Sequence, residues 1–411
     1  MAEVAICADI GTSSLKAAAI DTAGNVIARS RVLFLSMYTD HAAKEWICAL
    51  SAALKEIHSA QPDLTADVLC ISGNGPTIVA DDAMTLLWNT PVPQQETESL
   101  FLPRVLHFKQ MHPDSWNNTQ KLYSGPEYLI HQLTGVSLTI LPEKRYSSAY
   151  WTAESLEAAG LTAADAKKLP PFAAPGDKAG TLTKEACSRL DSTPLLKEGT
   201  AVYCGAPDFV SALVGTNTLE AGKLCDRAGS SEGVNLCTSL PLKAEDIRTL
   251  PSIHPQLWNA SFLLPDTGLR FSAFKQRVER EQGRELDFDY LVQSCIMSDG
   301  TYPAYDQGKY LMLQIAMQVR DGIAKLLNAA YETNDRQPRQ MVVTGGQAAN
   351  DAWNQMKANV TGLEIVVPYC TDAELMGDAA FAFTGMGLFD SVETSARRLF
   401  RPEKSFLPED F

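Results

Sequence analysis

The chain has 411 residues, 45% of them hydrophobic, and Asp+Glu (49) outnumber Lys+Arg (35) for a formal net charge of −14. At roughly 100–200 residues per domain this length suggests two or three domains, and the acidic balance argues against a nucleic-acid partner, since phosphate backbones repel such a surface. No apolar run reaches the roughly 18 residues that a transmembrane helix needs, so no membrane partner is expected.

The first strand is expected over residues 4–8 and a glycine turn follows at 11–14. A second strand then covers 15–21, "DTAGN" makes a tight turn, and a third strand begins at Val26. Short turns of this kind predict an antiparallel meander. Asp9 interrupts what could have been a signal-peptide core, so a cytoplasmic protein is expected. Residues 45–58 place Trp46, Leu50 and Leu54 at helical spacing. A buried strand is expected at 68–72, ending at "SGNGPT", and a strand pair at 78–87.

The middle reads as helical and loop-rich, with a helix over 125–135 stopped by Gly135. The Pro- and Gly-rich "LPPFAAPGDKAGTL" (169–182) reads as a connector. A second β-rich run starts at Thr200. It is followed by a long amphipathic helix over 311–331, a strand–glycine turn–helix from 340, a strand at 365–368 and a small-residue helix at 374–387. The nine cysteines form no CxxC pair, and Cys7, Cys70, Cys204, Cys225 and Cys237 sit inside apolar runs. They read as small buried hydrophobes in a reducing compartment, with no zinc-type spacing.

Four constellations could carry chemistry. The first is Asp9-Gly11-Thr12-Ser13-Ser14-Lys16. Glycine admits close approach of a ligand, successive turn N–H groups and hydroxyls suit an anion, and Lys16 adds a point charge. Asp9 then makes sense beside a divalent cation. The competing reading is a Ser/Thr-rich hairpin turn. The second is Gly229-Ser230-Ser231-Glu232-Gly233, a candidate phosphate clamp or a plain turn; Glu232 would repel a phosphate unless it points away. Cys7-x-x-x-Gly11-x-Ser13 is echoed by Cys225-x-x-x-Gly229-x-Ser231, which suggests a duplicated architecture. The third is Thr344-Gly345-Gly346 between a strand and a helix, where helix N-termini face anions. The fourth is Asp208, after an apolar strand and at the head of a helix, either an N-cap or a general base.

In this order the pieces resemble the FGGY carbohydrate kinases, the family of xylulokinase and glycerol kinase. "DIGTSSLKAAAID" resembles the family's first phosphate motif and "LLWN" its "ILWND". "VYCGAPDFVSALVG" resembles "GGGDNAAAALG", "EAGK…AGSSEG" resembles "EPGK…LGTSG", and "TGGQAANDAWNQMKANVTGLEIVVP" resembles the adenosine-motif segment. The helical stretch ending "GPEYLIHQLTG" and the connector "LPPFAAPGDKAGTLT" also have counterparts, so the similarity runs along nearly the whole chain.

The resemblance implies an α/β protein of two ribonuclease-H-like (actin-like ATPase) domains, residues 1–217 and 218–411, with ATP and Mg²⁺ in the interdomain cleft. It implies Asp208 as the base, also close to the substrate, and Asp9 on the Mg²⁺ side. Gly11, Thr12, Ser13, Ser14, Lys16, Gly229, Ser230 and Ser231 would surround the phosphates. Gly345, Gly346, Gln347 and Asn350 would meet the nucleotide, and Asn74 and Gly75 the sugar or polyol. A homodimer, the commonest soluble assembly, is the one considered.

Several positions depart from the family's pattern. Arg104 and His107 replace the usual Lys and Trp, Phe209 replaces the Asn after the catalytic Asp, and Gly75-Pro76 replaces Met-His. No Arg stands at Thr90–Pro91, Ser230 replaces Thr, Glu232 replaces Gly, and the region 299–311 lacks a long loop. Phosphate and base positions are kept while sugar-facing ones change, which favours a kinase with an altered acceptor. A non-catalytic nucleotide- or sugar-binding relative and an actin-like ATPase without a sugar substrate are the competing readings.

Overall fold

Seven buried residues form the strand β1 (Val4–Ile10), which turns at 11–13 into β2 (Ser14–Asp21) in a computed structural model that describes residues 3–35, 40–191 and 194–409. Asp21 closes the next turn by accepting the N–H groups of Ala23 and Asn25, each at 2.9 Å. β3 (Val26–Leu33) then returns antiparallel. The helix Ala43–Ala60 buries Trp46, Leu50, Leu54 and Ile57 on one face and packs on β2 and β3. That spacing is the apolar stripe a sheet-covering helix needs. β4 (Val68–Gly73) lies parallel to β1.

Three short strands, β5 (Ile78–Ala80), β6 (Thr85–Leu86) and β7 (Leu122–Tyr123), form a small antiparallel sheet, and β8 (Thr139–Ile140) pairs with β9 (Phe172–Ala173). β10 (Lys178–Thr181) and β11 (Ala201–Pro207) complete the main sheet, ordered β10-β11-β4-β1-β2-β3. The stretch expected to be a mere connector therefore contains an edge strand. An edge strand pairs on one side only, so neighbouring Pro and Gly residues and a register shift between Lys178 and Gly180 are tolerated.

The later strands are β12 (Leu224–Ala228), β13 (Glu232–Thr238), β14 (Ile247–Pro251), β15 (Trp258–Leu264), β16 (Gln340–Thr344), β17 (Glu364–Pro368) and β18 (Pro402–Phe406). Their sheet is ordered β14-β15-β13-β12-β16-β17-β18. With β14 set aside it repeats the first sheet strand for strand. In each, an antiparallel meander is followed by two parallel strands and an antiparallel edge. The short Cys–Gly–Ser echo is thus the sequence trace of a topological repeat.

The chain forms two compact units. The first holds Met1–Gly215 and Glu374–Leu399, the second Thr216–Ala373 and Phe400–Phe411. The sequence expectation has one crossing, after residue 217, whereas here the helices Ala373–Gly385 and Val392–Leu399 fall largely or wholly in the first unit. Each unit's main core is the apolar face of its own sheet. In the second unit the helices Thr267–Gln282 and Phe288–Ile296 join the helix Pro303–Ala329 around Phe271, Phe274, Leu291 and Met312. That last helix begins at Pro303, well before the expected 311, because proline suits a first helical turn. All nine cysteines are free, and no helix is long and apolar enough to cross a membrane among the described residues.

Candidate active site

In the first unit, Asp9 sits near the end of β1, 3% exposed, with Lys16 opposite on β2 and Ser72 on β4. The turn behind it closes by the Gly11 N–H donating to the Ser14 carbonyl at 2.9 Å. Two hydroxyls of this turn, those of Thr12 and Ser14, have partners within the protein. Thr12 Oγ1 accepts the indole N–H of Trp88 at 3.2 Å, and Ser14 Oγ accepts from Arg31 Nε at 3.0 Å. The Ser13 carbonyl accepts the Phe34 N–H at 2.9 Å. Lys16 Nζ lies 3.8 Å from the Glu374 carboxylate.

Trp88 is itself held by a device the sequence reading passed over. Arg104, 9% exposed, donates to the carbonyls of Leu87 (2.7 Å), Trp88 and Thr90 (3.0 Å). A guanidinium with fixed, planar donors suits the cradling of such a loop. The signal was "LLWN", noticed for its resemblance only.

Asn74 and Gly75 follow β4 directly. Asn74 is buried, its N–H donates to the Ile10 carbonyl at 2.9 Å, and its Oδ1 accepts from Thr77 at 3.2 Å. Gly75 lines a pocket together with Pro76, Phe101, Tyr150, Pro207 and Phe209. Asp208 stands between the last two, half-buried, as the first residue of the helix Asp208–Gly215. The Phe209 N–H donates to Asp208 Oδ1 at 2.6 Å.

Asp378 was not singled out in the sequence, yet it is fully buried here. Its Oδ2 accepts from Ser72 Oγ at 2.7 Å, and its Oδ1 from Ser211 Oγ at 3.0 Å; Ser72 Oγ also lies 3.4 Å from Asp9 Oδ1. Glycines allow this approach. A Cβ on Gly377 would fall 2.0 Å from the Ser211 carbonyl oxygen. One carboxylate thus ties the strand beside Asp9 to the helix headed by Asp208. Burial pushes the Asp378 carboxyl well above its usual range; the charges of Asp9 and Glu374 add to this and the two hydroxyls oppose it. Asp378→Ala strands both hydroxyls and is expected to cost about 1–3 kcal/mol. Urea denaturation measures this, and an unchanged midpoint would refute the role.

In the second unit, Gly229, Ser230 and Ser231 form an exposed turn closed by the Gly229 N–H donating to the Ser231 carbonyl at 2.9 Å. Two glycines crowd it. A Cβ on Gly268 would lie 2.0 Å from the Gly229 carbonyl oxygen, and one on Gly345, at φ +89°, 2.6 Å from that of Ala228. Gln347 Nε2 reaches the Gly229 carbonyl at 3.5 Å, and Gln347 Oε1 has no hydrogen-bond partner among the described residues. Gly346 is exposed beside it. Asn350 caps the helix Asp351–Thr361: its Oδ1 accepts the Trp353 N–H at 2.9 Å and its Nδ2 donates to Asp289 at 2.8 Å.

Glu232 does point away from the turn. It is 1% exposed on β13 and takes a hydrogen bond from Lys357, which also donates to Asp226 at 2.6 Å. All three side chains are buried. Burial, then the charge of Glu232, pushes the Asp226 carboxyl well above its usual range. Burial alone would lower the Lys357 ammonium, but the two carboxylates outweigh it and raise it.

No group of three His, Cys, Asp or Glu residues among the described residues could hold a metal alone. Mg²⁺ commonly keeps its waters and takes only one or two carboxylates plus phosphate oxygens. A single buried Asp9 fits that pattern.

The family model for the C-terminal domain of the FGGY family of carbohydrate kinases matches residues 311–386. The xylulose kinase of Staphylococcus epidermidis is 22% identical over 482 aligned residues, covering 99% of this chain and 93% of that one. The ligand-bound xylulose kinase of Lactobacillus acidophilus superposes with a TM-score of 0.76 at 15% identity, over 99% of this chain and 94% of that one. Over residues 311–386 the chain matches the FGGY family of carbohydrate kinases, and along nearly its whole length it is similar to xylulose kinases. An autoinducer-2 kinase of Enterobacter sp. (strain 638) is 24% identical over 353 residues; the match covers 75% of this chain and 65% of that protein's length. The Plasmodium falciparum glycerol kinase solved with ADP has a TM-score of 0.77 at 13% identity, over 99% of this chain and 94% of that one. The fold is that of these kinases, two actin-like ATPase-fold domains, in keeping with the repeated sheet order.

Proposed function

We propose that this protein transfers the γ-phosphoryl group of ATP to a hydroxyl of a sugar or polyol. The observation that carries the proposal is the placement of Asp208: a half-buried carboxylate at a helix start, between two residues that line a pocket. In this reading Asp208 takes the proton of the attacking hydroxyl. The Phe209 N–H donates to one of its oxygens and so orients the carboxylate.

Phosphoryl transfer needs positioning and charge neutralisation more than covalent chemistry from the protein. Residues 11–14 with Lys16 in the first unit, and 229–231 with Gly345, Gly346 and Gln347 in the second, are assigned to the nucleotide. Mg²⁺, when bound, would neutralise phosphate charge, with Asp9 holding it directly or through water. The pairing of Glu232 with Lys357 removes the objection that a free carboxylate would repel phosphate at the second turn. Asn350 is left out of this set, since its side chain caps the helix Asp351–Thr361 and donates to Asp289.

The test is direct. The protein is incubated with Mg²⁺, ATP and a panel of ketoses, aldoses and polyols, and products are read by mass spectrometry. A phosphorylated acceptor is expected. ATP or sugar binding by calorimetry with no phosphorylated product from any acceptor would support the non-catalytic alternative.

A further inference from the structure

We infer that the acceptor buries an apolar, deoxygenated end in the pocket of the first unit, so that the preferred substrate is a small neutral hydroxy compound with a methyl or methylene terminus rather than a fully hydroxylated sugar. This rests on the kinase reading above and names the acceptor class for that same site.

The pocket is tied to Asp208 by its two chain neighbours, Pro207 and Phe209, both in the lining. Its other walls are largely hydrocarbon. Phe101 and Tyr150 stack with ring centroids 4.5 Å apart. The wall is rigid: Ser99 Oγ donates to the Tyr150 carbonyl and accepts the N–H groups of Phe101 (3.2 Å) and Leu102 (3.0 Å). Pro76 and Pro126 add surfaces with no side-chain donor or acceptor.

Of the polar side chains in the lining, Ser124 and Glu127 are engaged within the protein, as are Asn74 and Arg104 next to it. Ser124 donates to Glu127, and the other oxygen of Glu127 accepts the Ile140 N–H at 2.9 Å. Asn74, next to Gly75, gives its carbonyl oxygen to Thr77. Arg104, one turn beyond Phe101, spends its guanidinium on three backbone carbonyls. The two tyrosines, Tyr146 and Tyr150, are the other polar side chains of the lining, too few to serve a full set of sugar hydroxyls. A sugar hydroxyl entering here loses water and finds few partners, whereas a methyl group gains from leaving water.

Matched pairs of acceptors test this: each ketose or polyol against its analogue with the distal CH₂OH replaced by CH₃, with Mg²⁺ and ATP. The deoxy member is expected to win by about tenfold or more in kcat/KM, the scale of one group in an apolar pocket. Equal or better turnover of the hydroxylated member overturns the inference and leaves the kinase reading standing. Binding of the same pairs is followed by calorimetry. Preferential binding of deoxy members without any phosphorylation upholds the apolar pocket and rejects the kinase reading. Binding of neither member rejects the pocket. Phe209→Asn, with its melting temperature checked, restores a polar partner beside Asp208 and is expected to narrow the ratio; an unchanged ratio counts against the pocket.

Discussion

Asp208→Asn should abolish acceptor-dependent ADP release while leaving the fold and ATP affinity in place. The substitution keeps size and shape and removes only the ability to accept a proton. The Asp208 side chain is half-buried, so asparagine is tolerated there, and its oxygen can still accept the Phe209 N–H. A general base contributes about 10²–10⁴-fold, so kcat should fall by that factor with the melting temperature unchanged. A coupled ADP assay at saturating acceptor measures it. Turnover within about tenfold of the unsubstituted protein would mean that another group takes the proton.

The local structure around the candidate site residues was largely readable in the sequence, for physical reasons. The turn at 11–14 and its echo at 229–231 show because glycine between short apolar runs has few other uses. Asp208 shows because a carboxylate after a buried strand has to head something. The strands β1 and β2 follow from unbroken small apolar residues around the "DTAGN" turn.

The unread features share a cause: their partners are remote in sequence. Asp378 lies in "GDAAFAF", where an aspartate on a small-residue helix gives no sign that it meets Ser72, 306 residues away. Lys357, in "NQMKANV", has the pattern of a solvated helix face, yet it is fully buried against residues 131 and 125 positions earlier. The pocket wall joins Phe101 to Tyr150 and Pro207, which no periodicity links. Strand β10 escaped because an edge strand of four residues can be built from "KAGT". The altered residues around the pocket, Gly75, Pro76 and Phe209, were visible as departures. Their common apolar character became meaningful only once they faced one space.

Lys357→Met is expected to destabilise the protein by about 3–5 kcal/mol, because it leaves the buried acid pair Asp226 and Glu232 without its cation. Asp226 Oδ1 and Glu232 Oε2 already lack partners, so no spare donor can take over among the described residues. The same network predicts a pH dependence. The Asp226 carboxyl is held above its ordinary 3.8 by burial, then by Glu232. The folded state therefore keeps a proton that the unfolded chain releases. Its stabilisation is complete below 3.8 and lost as pH rises through the elevated folded value. Asp226→Asn cannot ionise, so its stability should fall less steeply towards alkaline pH than that of the unsubstituted protein. Urea titrations at a series of pH values check both expectations. A Lys357→Met variant within about 1 kcal/mol of the unsubstituted protein would show that the carboxylates share their charge without the lysine. Because Glu232 directly follows Ser230 and Ser231, a loosened network should also raise the KM for ATP while leaving that for the acceptor unchanged. That split would separate support of the nucleotide turn from a general loss of fold.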